Sequence, residues 1–224
     1  MKNPFLTLSA ILTAAVFLAR PASAQLSTPP ASDAEKEALY AQAIEYRTGD
    51  ILKALNLTDA AKSNAVHDIM VAQYHDLRVR DAAIDTRLKV EGKEISYANR
   101  AEQLVAQSKP LHEKFLTKLA ASLTPEQVEQ VKDLMTYNKV KVTSDAYAAI
   151  VPGLTDTEKA KILELLKAAR EEAMDGGSAP EKSDIFQKYK HQINSYLDAQ
   201  GHDTAKAFKE WAEKNPTTNN PAAK

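Results

Sequence analysis

LTPEQVEQVKDLM, residues 123–135, carries its own helix start signal. Thr124 stands at the N-cap position, where a side-chain oxygen accepts a hydrogen bond from an otherwise unpaired amide of the first turn. Pro125 follows at the first helical position, Gln127 completes a capping box, and Leu123 is placed to staple against Val128. LTDTEKAKILELL (154–166) repeats the box with Thr155 and Glu158. LTDAAKSNAVHDIM (57–70) repeats the cap with Thr58 and an acid at Asp59, but Ala61 stands where the box needs Glu or Gln. An internal duplication would produce this likeness, and so would three unrelated helices obeying one capping rule. The similarity ends after a turn or two, which is what the capping rule alone gives.

Working outward from these starts, the apolar positions Val66, Met70, Leu77, Ile84 and Leu88 recur at helical spacings, with Gln73 filling one seam position. After Gly92 the series Tyr97, Ala101, Leu104, Ser108, Leu111, Phe115 and Leu119 mirrors it. The two segments, 58–92 and 95–121, are therefore expected to zip together as a long antiparallel helical hairpin. Pro110 falls inside the second arm and removes one ladder bond, so a kink near residues 106–107 or a break into two helices is expected. Further helices are expected at about 33–55, weakened near Thr48-Gly49, and at 125–137, 156–174, 181–199 and 203–214. Residues 136–153 (TYNKVKVTSDAYAAIVPG) place β-branched Val140, Val142 and Thr143 among few helix formers. That stretch reads as an irregular loop near 138–153, with at most a short helix near 144–150. The fold class is all-α: a single-domain helical bundle of about seven helices spanning 33–214.

The 224-residue chain has 44% hydrophobic residues, too many for a disordered chain, and its missing cysteines exclude disulfides, zinc–thiolate sites and a thiol nucleophile. Lys2, an apolar run over residues 5–18 and the small residues Ala22-Ser23-Ala24 read as a signal peptide over 1–24, cut near Ala24. The run is about 14 residues long, short of the roughly 20 that a transmembrane helix needs. The expectation is an exported protein, periplasmic or secreted, with a flexible proline-rich leader over 25–32, a disordered polar tail over 215–224 and no membrane span. Cleavage removes Lys2 and Arg20 and no acid, so the formal charge of −1 becomes −3. Such a charge argues against nucleic acid as a partner.

The five histidines lack the spacings of metal sites, so neither a metal nor a cofactor is expected. No nucleophile elbow, phosphate loop or dinucleotide fingerprint occurs. The adjacent Gly176-Gly177 read as the end of the helix finishing at Asp175, with the left-handed backbone that glycine permits. Asp81 and Asp85, with Arg78, Arg80, Arg87 and Lys89 around them, read as an exposed salt-bridged helix face. The aromatic residues are more suggestive. Tyr137 and Tyr147 flank the expected loop, while Tyr189, Tyr196 and Trp211 crowd the C-terminal third with Asn194 among them. Aromatic residues at helical spacing usually form core, but tyrosine and tryptophan also line grooves for sugars or peptides. These six residues are the candidate ligand-binding set. For an enzyme, the candidates are Tyr189, Lys190 and His191, with a Tyr or His as base and Lys190 neutralising a substrate carboxylate.

LNLTDAAKSNAVHDIMVAQY (55–74), the stretch from Leu123 to Ser178 and EKSDIFQKYKHQINSYLDAQGHD (181–203) together resemble the secreted bacterial domain of unknown function 3826 family. The resemblance covers nearly all of the mature chain and implies an exported helical protein associated with polysaccharide-degrading gene neighbourhoods. It brings no catalytic residues with it. Leu123-Thr124-Pro125-Glu126-Gln127 also resembles the motif of the periplasmic LTxxQ chaperones, which are helical and cradle-shaped, although the other two Leu-Thr sites depart from it. The functional expectation is an accessory binding protein, monomeric or weakly dimeric, whose partner is carbohydrate or a glycan-processing protein. A glycan-active lyase or hydrolase and an LTxxQ-like chaperone are the alternatives.

Overall fold

The computed structural model describes residues 32–216. The expected signal peptide, all of the leader but Ser32 and the tail beyond Pro216 lie outside the described residues. Eight helices follow one another: α1 (Asp33–Leu55), α2 (Ala60–Val90), α3 (Tyr97–Ser122), α4 (Pro125–Met135), α5 (Lys139–Ile150), α6 (Asp156–Met174), α7 (Ala179–Ala199) and α8 (Thr204–Lys214). The all-α expectation holds, and no described residue is in a β-strand. No helix among the described residues is long and apolar enough to cross a membrane.

The capping chemistry accounts for most of the starts. Thr124 accepts from the Gln127 amide at 3.3 Å while the Gln127 side chain accepts from the Thr124 amide at 3.1 Å. Ser32 with Glu35 and Thr155 with Glu158 close the same reciprocal box on α1 and α6. The start of α2 differs from expectation. Asp59, not Thr58, is the N-cap, and its carboxylate accepts from the amides of Ala61 and Lys62. A carboxylate at that position satisfies two amides and opposes the positive end of the helix, which a hydroxyl one residue earlier cannot do.

The hairpin forms as expected from α2 and α3, with Val66, Met70, Leu77, Ile84 and Leu88 facing Leu104, Phe115 and Leu119, all buried. Pro110 does not divide α3, which runs on through it. Nor is α1 interrupted at Thr48-Gly49, since Thr48 is buried and flanked by buried Ile44 and Ile51.

The expected loop at 138–153 is a helix. Val140, Thr143 and Tyr147 of α5 point into the core, while Val142 is exposed. The intrinsic penalty of β-branched residues is at most about 0.7 kcal/mol each, whereas burying a valine-sized side chain stabilises by about 1.5–3 kcal/mol. Packing therefore decides the conformation, and the described residues form eight α-helices. The irregular part shrinks to residues 151–153 after α5 and to the turn that ends α4. There the Asn138 amide donates to the Asp133 carbonyl at 2.8 Å and the Tyr137 amide to Leu134, with Tyr137 left-handed at φ 58. This is the hydrogen-bond pattern of a Schellman cap with tyrosine where glycine is usual.

Two large clusters make up the core. The first gathers α1 to α4 around Ile51, Met70, Phe115 and Val131, and it also receives Met174 from the end of α6. The second gathers α5 to α8 around Tyr147, Leu166, Phe186 and Ile193. Helix α6 contributes to both.

Candidate functional site

Where α6 ends and α7 begins, the chain turns against the middle of the hairpin. Last-turn carbonyls of a helix need donors from elsewhere, and here long cations supply them. The Lys182 ammonium, buried, donates to the carbonyls of Ala173 at 2.8 Å and Met174 at 3.1 Å. Arg80 of α2, only 5% exposed, donates to the carbonyl of Asp175 at 2.7 Å, to Ser108 of α3 at 2.7 Å and to Asp81. Burial pushes the Lys182 ammonium down to about 8. Gly176 and Gly177 do follow α6, but not with the left-handed backbone expected, which among the glycines occurs at Gly92, Gly153 and Gly201. Their requirement is space: a Cβ on Gly177 would collide with the Asp81 carboxylate, and one on Gly176 would lie 3.1 Å from Lys182 Cγ.

Asp81 and Asp85 do not form the exposed face read from sequence. Arg100 of α3, which that reading left out, lies 3.2 Å from Asp81, 3.0 Å from Asp85 and 3.5 Å from Glu181 of α7. The face is thus turned inward to tie α2, α3 and α7 together. Glu181 is 5% exposed, and burial, with the nearby Asp81 charge, raises its pKa. One carboxylate oxygen, Oε2, accepts from the Gly177 amide at 2.9 Å. The other, Oε1, is buried and accepts no hydrogen bond from any described residue.

Beside this cluster runs a groove of about 390 Å³ between α3 on one side and α6 and α7 on the other. Ala101, Leu104 and Val105, the last 65% exposed, form an aliphatic wall. Glu171, Glu172, Asp175 and Glu181 line the opposite side with Ile185. His112 lies between Asp175 at 3.0 Å and Glu171 at 3.5 Å, and those two carboxylates raise the imidazole to about 9. Burial pushes Glu171 up, but hydrogen bonds from His112, Lys132 and Arg170 together bring it down to about 2. Arg170, buried in the interface of α4 and α6, also holds Glu129 and Asp133.

The residues proposed from sequence do not converge on one place. Tyr147 is 2% exposed; its hydroxyl donates to Asn194 at 2.6 Å and its ring meets Phe208 edge-on, so Tyr147 and Asn194 are a core pair. Tyr137 stands exposed at the α4–α5 turn. Tyr196 packs partly buried on the second cluster. Trp211 lines a separate hollow of about 520 Å³ with Ile150, Pro152, His202 and Lys206. Tyr189 alone approaches the groove, donating to Glu172 at 3.1 Å. Tyr189, Lys190 and His191 occupy consecutive helical positions and so point about 100° apart: Tyr189 reaches α6, Lys190 is half-buried and His191 is exposed. The remaining histidines are paired with acids, His67 with Glu45 and Asp68, and His202 with Glu158, or, in His75, set against the Tyr40 ring. Among the described residues no group of three or more potential ligands is arranged for a metal.

A signal for the groove was present in the sequence. Arg80 falls on the α2 seam between Leu77 and Ile84, and Glu181 and Lys182 occupy the buried side of α7 with Ile185. Charges at core-facing positions are rarely fully buried unless paired, and here they mark the site.

The family model described as Protein of unknown function (DUF3826) matches residues 41–216. No curated protein matches the chain.

Proposed function

The chain belongs to the DUF3826 family, and on that premise we propose that it is an exported accessory protein that binds carbohydrate in the groove between α3, α6 and α7. One observation carries the reading: the groove pairs an aliphatic wall with Glu181, a carboxylate whose buried Oε1 accepts no hydrogen bond from any described residue. A sugar ring offers the complement, an apolar carbon face and an array of hydroxyl donors. An acceptor held in a pocket without its hydrogen bond is costly, so a ligand that supplies the donor gains affinity. Export is supported by the features of residues 1–24. The Trp211 hollow is a secondary contact region for an extended chain.

The hydrolase alternative is favoured by a specific feature. Within one groove Glu181 is raised by burial while Glu171 is lowered to about 2, and a separation of this kind suits an acid and its ionised partner. A lyase on acidic glycans is disfavoured, because the acidic lining repels a uronate and Tyr189, Lys190 and His191 diverge. The chaperone alternative lacks its surface, since Leu77 and Phe115 are buried in the hairpin.

The test is calorimetry and a glycan array with residues 25–224, together with a reducing-end assay. Binding without turnover, weakened by Glu181→Gln, is expected. Absence of binding to any polysaccharide would refute the proposal, and release of reducing ends would replace it with the hydrolase.

A further inference from the structure

The ion pairing around the groove is uneven. Asp175 and Glu171 hold the His112 imidazolium, and Glu171 also has Lys132 and Arg170. Glu172 is engaged by Lys188 at 2.6 Å, and at the exposed rim Lys109 pairs with Glu113 at 4.0 Å. Lys182 directs its ammonium to the carbonyls of α6. That leaves Asp81, Asp85 and Glu181, whose direct ion pairs are with two guanidiniums, Arg80 and Arg100. Three carboxylates thus share two cations. Arg100 lies nearer to Asp81 and Asp85 than to Glu181, so Glu181 is the least compensated of the three. Asp85 Oδ1 and Glu181 Oε1 both lack a hydrogen-bond donor among the described residues, and of the three carboxylates Glu181 is the one that lines the groove.

We propose that the groove selects glycans carrying a primary ammonium group, amino sugars with a free amine, and that Glu181 receives that ammonium. This rests on the carbohydrate reading above and specifies its ligand class. An ammonium brings three donors and the missing charge, whereas a hydroxyl brings one donor and none. The carboxylate torsion of glutamate is broad, so a small turn presents Oε1 to a group in the groove. The aliphatic wall of Leu104 and Val105 suits the carbon face of a pyranose. Among the described residues no Phe, Tyr or Trp lines the groove to form the cage that a quaternary ammonium prefers. The raised pKa of Glu181 agrees with a carboxylate short of positive charge.

The experiment is calorimetry of the mature protein in mildly acidic buffer with three probes: a glucosamine hexamer, its fully N-acetylated counterpart and an oligogalacturonate. The free-amine hexamer is expected to bind about tenfold more tightly than the acetylated one, the size of one hydrogen bond to a charged group, with the uronate weakest. Glu181→Gln should erase that preference. Val105→Lys, a change at the exposed rim that leaves the core untouched, should weaken the free-amine hexamer selectively and keeps the test decisive should Glu181→Gln misfold. Equal binding of the two hexamers would overturn the ammonium inference and leave the carbohydrate reading standing; absence of all binding would remove both. A preference that survives Glu181→Gln or Val105→Lys, or an oligolysine peptide binding as tightly as the free-amine hexamer, would also overturn the inference.

Discussion

Replacing His112 by Gln removes a positive charge from between two carboxylates while keeping a polar side chain in its place. The folded imidazole titrates at about 9 instead of 6.5 because Asp175 and Glu171 favour its charged form. Each tenfold change in proton affinity is worth about 1.4 kcal/mol, which puts the coupling at about 3 kcal/mol before screening. The side chain is 20% exposed, and water screens part of the interaction, leaving about 2 kcal/mol. The sign follows from linkage: the folded value is raised, so the stabilisation is fully present below pH 6.5 and is lost as pH rises through about 9. Urea unfolding of the natural chain and of His112→Gln, compared across this window, should give a stability gap that is largest in mild acid. The gap should shrink by about 2 kcal/mol by alkaline pH. NMR titration of the folded protein should find the His112 ring protonated at neutral pH. A gap independent of pH, or a ring titrating at its ordinary value, would refute the assignment of His112 as the cation that joins α3 to the end of α6.

Thr124→Ala should cost about 1 kcal/mol in urea unfolding, since the Gln127 amide loses its acceptor. Tyr147→Phe should cost about 1–2 kcal/mol by leaving Asn194 Oδ1 without its donor, and should leave ligand affinity in calorimetry unchanged because the pair is core. Gly177→Ala should cost about 1–3 kcal/mol, as the new methyl displaces the Asp81 carboxylate. That loss should be smaller when measured by the same unfolding assay in an Asp81→Ala background, where the collision is absent.

The parts of the fold legible in the sequence are those governed by local chemistry or by one unbroken stripe. Thr124 with Gln127 and Thr155 with Glu158 depend only on residues within the same turn, and the α2–α3 seam is written in aliphatic spacing. Helix α5 was not legible because Val140, Val142 and Thr143 oppose helix locally, and the burial of Val140, Thr143 and Tyr147 that outweighs this comes from packing with helices outside the segment. The groove was obscured for a related reason. Arg80, Arg100 and Glu181 lie on three different helices; helical spacing puts Arg80 and Glu181 at core-facing positions, but only the packing of α2, α3 and α7 reveals that the three face one another. The aromatic candidates misdirect because a tyrosine hydroxyl satisfied by Asn194 in the core and one offered to a ligand are the same letter in the sequence.

Met174 extends from α6 into the cluster built by α1 to α4, where it is fully buried. Synthesis delivers the chain from its N-terminus, so the first four helices emerge some forty residues before the side chain that plugs their core. Until then that half presents an open socket of apolar surface to whatever surrounds it, at the moment when a nascent chain is most exposed to proteases and to its own neighbours. A variant such as Met174→Ala would prolong that vulnerable interval into the finished molecule, so its yield of folded protein on expression should fall further than its loss of equilibrium stability alone implies.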